Sequence, residues 1–283
     1  MLSRTQDVAA LVDRMPALDK RGTLTGPKWA DAAEVFDAIL EGGKASVATV
    51  VGMLKEVDDG DDWKARYVLH GVAVYVCRPD KREKREPFTR ALAAELGGDR
   101  PKAVQGFLIR QLQVAGGKEV VEKLGTFLAD EELHEYAAQA LQSIRQGAAE
   151  QFRQALPKLT GKQRLTALQA VGVLRDAASL DALQKAATDA DVQVRTTALW
   201  GLASLGAAEA VGTLLKAADV SEVHERHKAT HACLVLAEKL RAAGRKDDAI
   251  RIYRHLRDTR TEDSEKYVRE SAEQALKALG LGP

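Results

Sequence analysis

The chain is poor in aromatic residues, cysteine and proline, carries almost no net charge and has no long apolar run. Aromatics make up 5% of its 283 residues although 45% are hydrophobic, so alanine, leucine and valine supply most of the apolar content. Alanine and leucine are strong helix formers with little β preference, which favours an all-helical reading. Lys and Arg number 42 against 41 Asp and Glu, so no global field draws in nucleic acid or an anionic membrane. Any such affinity has to come from a local patch. Cys77 and Cys233 lie far apart in apolar helical contexts, so two buried thiols are expected rather than a bridge, and there is no CxxC pair. No apolar stretch approaches the roughly 20 residues of a membrane span, and the opening MLSRTQDVAALVDRM lacks a signal core. A soluble chain is expected, in the cytoplasm by default, with a signal removed ahead of Met1 left open.

What the chain does have is repetition. The stretch Asp189–Leu205, DADVQVRTTALWGLASL, combines an Asp-capped loop with a helix carrying Ala198, Gly201, Leu202 and Leu205 on one side. Variants of it recur around the anchors Gly71, Gln111, Ala140, Ala170, Gly201, Ala232 and Ala275, at spacings of 40, 29, 30, 31, 31 and 43 residues. Near-equal intervals in the middle with longer outer ones are the pattern of a stacked repeat with atypical ends. Six residues before the anchor stand Arg164, Arg195, Arg226 and Arg269, with His134 in one repeat. One residue after it stand Val72, Leu112, Leu141, Val171, Leu202, Cys233 and Leu276. Short amphipathic outer helices are predicted between them at Lys118–Ala129, Ala148–Leu159, Ser179–Thr188 and Ala207–Ala218.

The motif Asp191-x-x-Val194-Arg195-x-x-Ala198-Leu199-x-Gly201-Leu202-x-x-Leu205 resembles the HEAT-repeat family, over residues 44–280 and most strongly over 117–218. The resemblance implies an all-α, right-handed α-solenoid of stacked antiparallel helix pairs, armadillo-like, with the second helix of each pair lining the concave side. It is structural and nearly silent on function. One continuous solenoid is expected: an N-terminal helical cap over 1–43, atypical helical repeats over 44–116, regular repeats over 117–218 and a capping repeat over 219–283. The cap contains helices at Gln6–Met15 and Pro27–Leu40. The last unit has a long inner helix and then Gly244-Arg245-x-x-Asp248-Ala249-Ile250-x-x-Tyr253, which resembles a tetratricopeptide turn. Pro87, inside the charged stretch 80–96, either starts that helix in its first turn or kinks it.

If the anchor, its +1, its +4 and its −3 positions are core, the −1 and −4 positions point away from it. Those columns read Tyr67 and His70, Phe107 and Arg110, Tyr136 and Gln139, Thr166 and Gln169, Thr197 and Trp200, Lys228 and His231, and Ser271 and Gln274. A row of aromatic, amide and cationic groups at non-core positions is a candidate partner-binding groove, with Trp200 as its centre. The alternative is a register one residue off, with some of these aromatics packed between repeats.

Other constellations carry less. His224, His227 and His231 fall on one helix sector, and His227 with His231 has the spacing of a weak metal-chelating pair. Lys228 stands where a zinc-protease helix has Glu, so solvated or partner-contacting histidines are favoured. Deoxyhypusine hydroxylase, a HEAT-like di-iron enzyme, is similar in fold and uses four His-Glu pairs; only His134-Glu135 and His224-Glu225 occur here, in the wrong register. HEAT-like alkylpurine DNA glycosylases raise the question of nucleic acid. Residues 239–260 hold eight basic residues against three aspartates, with Arg251, Arg254 and Arg257 on one face. That patch lies on an outer helix, and an ordinary solvated face is favoured. Gly42-Gly43-Lys44 and Gly116-Gly117-Lys118 suit helix C-caps better than phosphate loops. Asp58–Asp62 suits a helix end and the next cap better than a calcium loop.

No catalytic set and no cofactor site emerge. A non-enzymatic scaffold or adaptor binding a protein or peptide is expected. A nucleic-acid binder is the alternative, and a metal- or chromophore-dependent enzyme ranks third. Partner and oligomeric state are open.

Overall fold

Small residues at the repeat centres let neighbouring helices approach closely, and the fold is built on those approaches. The computed structural model describes residues 4–15, 29–56 and 61–281, and every regular element in them is a helix. The fold is an all-α solenoid type, as expected. The chain divides into two units, Met1–Gln151 and Phe152–Pro283.

The first unit contains α1 (Arg4–Asp13), α2 (Trp29–Glu41), α3 (Gly43–Val51), α4 (Trp63–Tyr75), α5 (Arg82–Ala94), α6 (Lys102–Ala115), α7 (Val121–Gly125) and α8 (His134–Ile144). Helices α4, α6 and α8 pack in succession, with α5 against α6 and α7 against α8. Gly71 is tight here for a steric reason: a Cβ on it would lie 2.2 Å from the Phe36 ring of α2. Asp37 of α2 accepts from the Tyr75 hydroxyl (2.9 Å) and from Lys81, tying α2 to the end of α4.

Helix α9 (Ala148–Ala155) carries the division between the units. The second unit continues with α10 (Gly161–Leu174), α11 (Leu180–Ala186), α12 (Val192–Leu205), α13 (Val211–Ala218), α14 (Val223–Ala242), α15 (Lys246–Thr259) and α16 (Lys266–Ala278). Here α10, α12 and α14 pack in succession, α11 backs α12, α13 backs α14, and α16 packs against α15. The Asp191 carboxylate caps α12 by accepting from the Gln193 amide at 2.7 Å. Gly206 ends α12 in the left-handed conformation at φ +74°. Gly244, at φ +78°, turns the long α14 into α15.

The +1 column is buried throughout, and so are the −3 residues Val68, Leu108, Ala137, Ala167, Ala198, Ala229 and Ala272. Each larger apolar side chain in these columns contributes about 1.5–3 kcal/mol by leaving water.

Four sequence expectations need correction. The outer helices are shorter than predicted, because 3-10 turns take their ends: Lys118–Val120, Leu156–Lys158, Ala177–Ser179 and Ala208–Ala210. The first-turn alternative for Pro87 falls away and the interior one remains; it stands at the sixth residue of α5, where its missing N–H removes one intrahelical bond. Cys77 is exposed, since α4 ends at Tyr75 and the residue falls in the turn beyond, whereas Cys233 is buried. Asp62 occupies the residue before α4 without capping it; its carboxylate instead pairs with Arg66 at 2.8 Å and accepts from the Lys55 amide at 2.9 Å. Asp58, Asp59 and Gly60 lie outside the described residues, as does the predicted helix start at Pro27.

Candidate interaction surface

The arginine column turns out to be a set of bridges between successive repeats of the second unit. Arg164 pairs with Asp189 at 2.8 Å. Arg195 makes two 2.6 Å bonds to Glu225 and also donates to the carbonyls of Asp189 and Ala190. Arg226 grips Glu265 with bonds of 2.7 and 2.8 Å, and Arg269 donates to the Arg260 carbonyl. The carboxylates are well covered, at 7% exposure for Glu225 and 5% for Glu265. Hydrogen bonding from Arg195 and Arg226 holds both below the ordinary glutamate range. Arg260, fully buried, donates to the Ala218 carbonyl and to the hydroxyls of Thr230 and Thr259, closing the network at the end of α15.

Because these bridges lie on one side of the inner helices, the row on the other side is left open. Gln169, Trp200, Lys228 and His231 are exposed and Thr166 and Thr197 half-buried. A groove of about 420 Å³ is lined by Gln169, Thr196, Thr197, Trp200, Lys228, His231 and Ala232. Five of those seven are residues singled out by the sequence columns. Trp200 is 39% exposed, and its ring lies on the α10 backbone: a Cβ on Gly172 would meet the ring at 2.7 Å and the Gly201 Cα at 3.0 Å. The indole is therefore packed against α10 while remaining partly open to solvent. Among the described residues, no side-chain hydrogen bond or ion pair engages Lys228, His231 or Gln169. Ser271 and Gln274, the last pair of the columns, are exposed on α16, which packs on α15.

In the first unit the same columns are used internally. The Arg66 guanidinium lies 4.9 Å from the Phe107 ring centre, and that of Arg110 lies 5.0 Å from the Tyr136 ring centre. His70 Nδ1 and the Gln111 side chain are joined at 2.9 Å. Tyr136 also sits on Gly106, where a Cβ would lie 3.3 Å from the ring. Tyr67 is half-buried and Gln139 exposed. At the −6 position this unit has Ala65, Gln105 and His134 instead of arginine. Gln105 bonds to Gly97 and Arg100. His134 Nδ1 faces the carbonyls of Asp130 and Glu131, and its buried Nε2 has no hydrogen-bond partner.

The remaining candidates do not converge. His224, His227 and His231 are exposed on α14, and no cluster of three metal-ligating side chains occurs among the described residues. Arg251 and Arg254 line a groove of about 410 Å³ with Asp247, Ile250 and Leu281, while Arg257 is paired with Asp258 at 2.7 Å. Of the stripe of three, Arg257 is paired with Asp258 and Arg254 acts on the same carboxylate through its charge. Burial pushes the Cys233 thiol up to about 12. No described helix is long and apolar enough to cross a membrane. Sequence reasoning missed the carboxylate ends of the arginine bridges. Their one available signal was an acidic residue in the repeat following each arginine.

Comparison with known proteins agrees on the repeat type. Residues 149–233 match the family model for HEAT repeats, so this stretch is a run of such repeats. Among solved structures, the chain is similar to one described as the complex of CpcE and CpcF of phycocyanin lyase from Nostoc sp. PCC7120. Identity there is 17%, over 91% of this chain and 100% of that one, with a TM-score of 0.40. An engineered protein is similar at 18% identity over 96% of this chain and 97% of its own, with a TM-score of 0.26. No curated protein matches the chain significantly.

Proposed function

We propose that this HEAT-repeat chain is a non-enzymatic interaction module, and that the open row of its second unit captures a segment of a protein partner. The observation that carries the reading is the Trp200 groove. An aromatic ring packed on Gly172 and 39% exposed lines a groove with Gln169, Thr197, Lys228 and His231. A rigid, half-exposed aromatic ringed by polar groups is the typical anchor of a protein interface. Repeats suit this role, because each contributes a few side chains to an extended surface. The groove's polar groups are an amide, two hydroxyls, an ammonium and an imidazole.

The test is affinity capture from the host's lysate with wild type and a Trp200→Ala/His231→Ala double variant, followed by mass spectrometry and a nucleic-acid stain. A protein retained by wild type and lost by the variant supports the reading. Nucleic acid retained equally by both moves the function to Arg251 and Arg254 and overturns it.

A further inference from the structure

Resting on that docking reading, we infer that the groove's occupant is an acidic peptide segment, in extended form, with an apolar side chain set on Trp200. The argument begins with carboxylates. Helices α10 and α12 contain none, and α14 contains only Glu225 and Glu238. Glu225 is buried against Arg195, and Glu238 bonds to Arg241 and to the Tyr253 hydroxyl of α15. Asp191 and Glu222, which precede α12 and α14, are engaged with backbone amides at the starts of those helices.

The cations are distributed differently. Arg164, Arg195 and Arg226 are held by Asp189, Glu225 and Glu265 away from the row. Lys239 donates to the Ser204 carbonyl at 2.6 Å, and burial lowers its pKa. That leaves Lys162, Lys228 and His231 exposed, while the exposed His224 and His227 stand near the carboxylates of Glu222 and Glu265. Lys162, Gln193 and His224 share the helical face of the −1 column, eight residues before their anchors. The open face therefore has positive charge and hydrogen-bond donors but no free carboxylate. The apolar contact is supplied by Trp200 and by Val173, both exposed.

Size and charge density choose among anionic partners. Three inner helices at about 8–10 Å spacing span roughly 20 Å, which about six extended residues cross at ~3.3 Å each. A nucleic-acid strand of that length needs cations following its phosphates. Two uncommitted lysines across three helices do not form such a track, whereas two or three carboxylates spaced along a peptide match it.

The experiment pans a random 12-residue phage-displayed peptide library on the full-length wild type and on Trp200→Ala, both verified as folded by circular dichroism. Clones that need Trp200 are expected to be enriched several-fold in Asp and Glu over the input library and to carry an apolar residue. The consensus peptide is expected to bind Lys228→Glu roughly tenfold more weakly and Lys228→Arg about as well as wild type. Twelve-residue oligothymidylate is expected not to compete. Trp200-dependent clones of neutral or basic composition overturn the acidic assignment and leave the docking reading standing. An absence of Trp200-dependent clones overturns both. Competition by the oligonucleotide overturns the peptide in favour of nucleic acid.

Discussion

The two units solve one problem in opposite places. Successive inner helices need polar contacts that fix their register, because small apolar residues such as Ala198 and Gly201 pack without specifying it. The first unit makes those contacts across the outward row, through Arg66 on Phe107, His70 with Gln111 and Arg110 on Tyr136. The second makes them at the −6 position, through Arg195 with Glu225 and Arg226 with Glu265. The consequence is functional. Outward residues are accessible in both units, but the first unit spends several of them on fixing the register. The second fixes it elsewhere and leaves Gln169, Lys228 and His231 without a side-chain bond among the described residues. Exposure follows from the repeat position; availability follows from the pairing.

The sharpest way to break this contrast is to remove a bridge. Arg226→Met leaves Glu265 charged at 5% exposure, with Arg260 3.5 Å away and His227 nearby but its two strongest bonds gone. A loss of about 3–5 kcal/mol is expected in urea unfolding at neutral pH. The loss should be smaller in acid. Arg226 lowers the folded pKa of Glu265 below the ordinary value of 4.5. The stabilisation it brings is therefore complete above that value and fades as pH falls through the depressed folded value. Wild type and Arg226→Met should begin to converge in stability as the pH falls below about 4.5. A gap that persists undiminished at pH 3 would show that the arginine acts by packing rather than by charge.

The contact between α10 and α12 offers a second cut, of intermediate size. Gly172→Ala places a methyl 2.7 Å from the Trp200 ring and 3.0 Å from the Gly201 backbone. Overpacking of this kind costs about 1–3 kcal/mol, offset by up to about 1 kcal/mol of helix propensity gained over glycine. Trp200 is expected to turn outward, seen as a red shift of its emission. Trp200→Ala, by contrast, is expected to keep helical circular dichroism while costing on the order of 2 kcal/mol of partner binding. Collapse of the fold in that variant would place Trp200 in the core and close the groove.

How much of this was legible beforehand follows from which distances matter. The buried columns depend on the helical period alone, so Val171, Leu202 and Cys233 could be placed from spacing, and with them the outward Gln169, Trp200 and His231. The pairing partners depend on contacts between repeats, and their offsets are irregular: Asp189, Glu225 and Glu265 follow their arginines by 25, 30 and 39 residues. No period announces them. The same holds for Arg66 on Phe107, where the stacking cation comes from a different helix. Cys77 was misjudged for a more local reason, a helix end two residues earlier than the apolar pattern suggested.

The smallest expected effect is the most direct probe of the contrast. In the first unit, Arg110→Met removes a guanidinium stacked 5.0 Å from the Tyr136 ring centre while keeping an apolar chain of similar length. A cation–π contact at an exposed site contributes about 0.5–1 kcal/mol, so the melting temperature should drop only slightly. If the stack is what occupies the first unit's row, the ring of Tyr136 loses its cover and becomes more reactive towards iodination or nitration than in wild type. An unchanged reactivity would mean that Gly106 beneath the ring, and not Arg110 above it, sets its accessibility. The two units would then differ in their bridges but not in the openness of their rows.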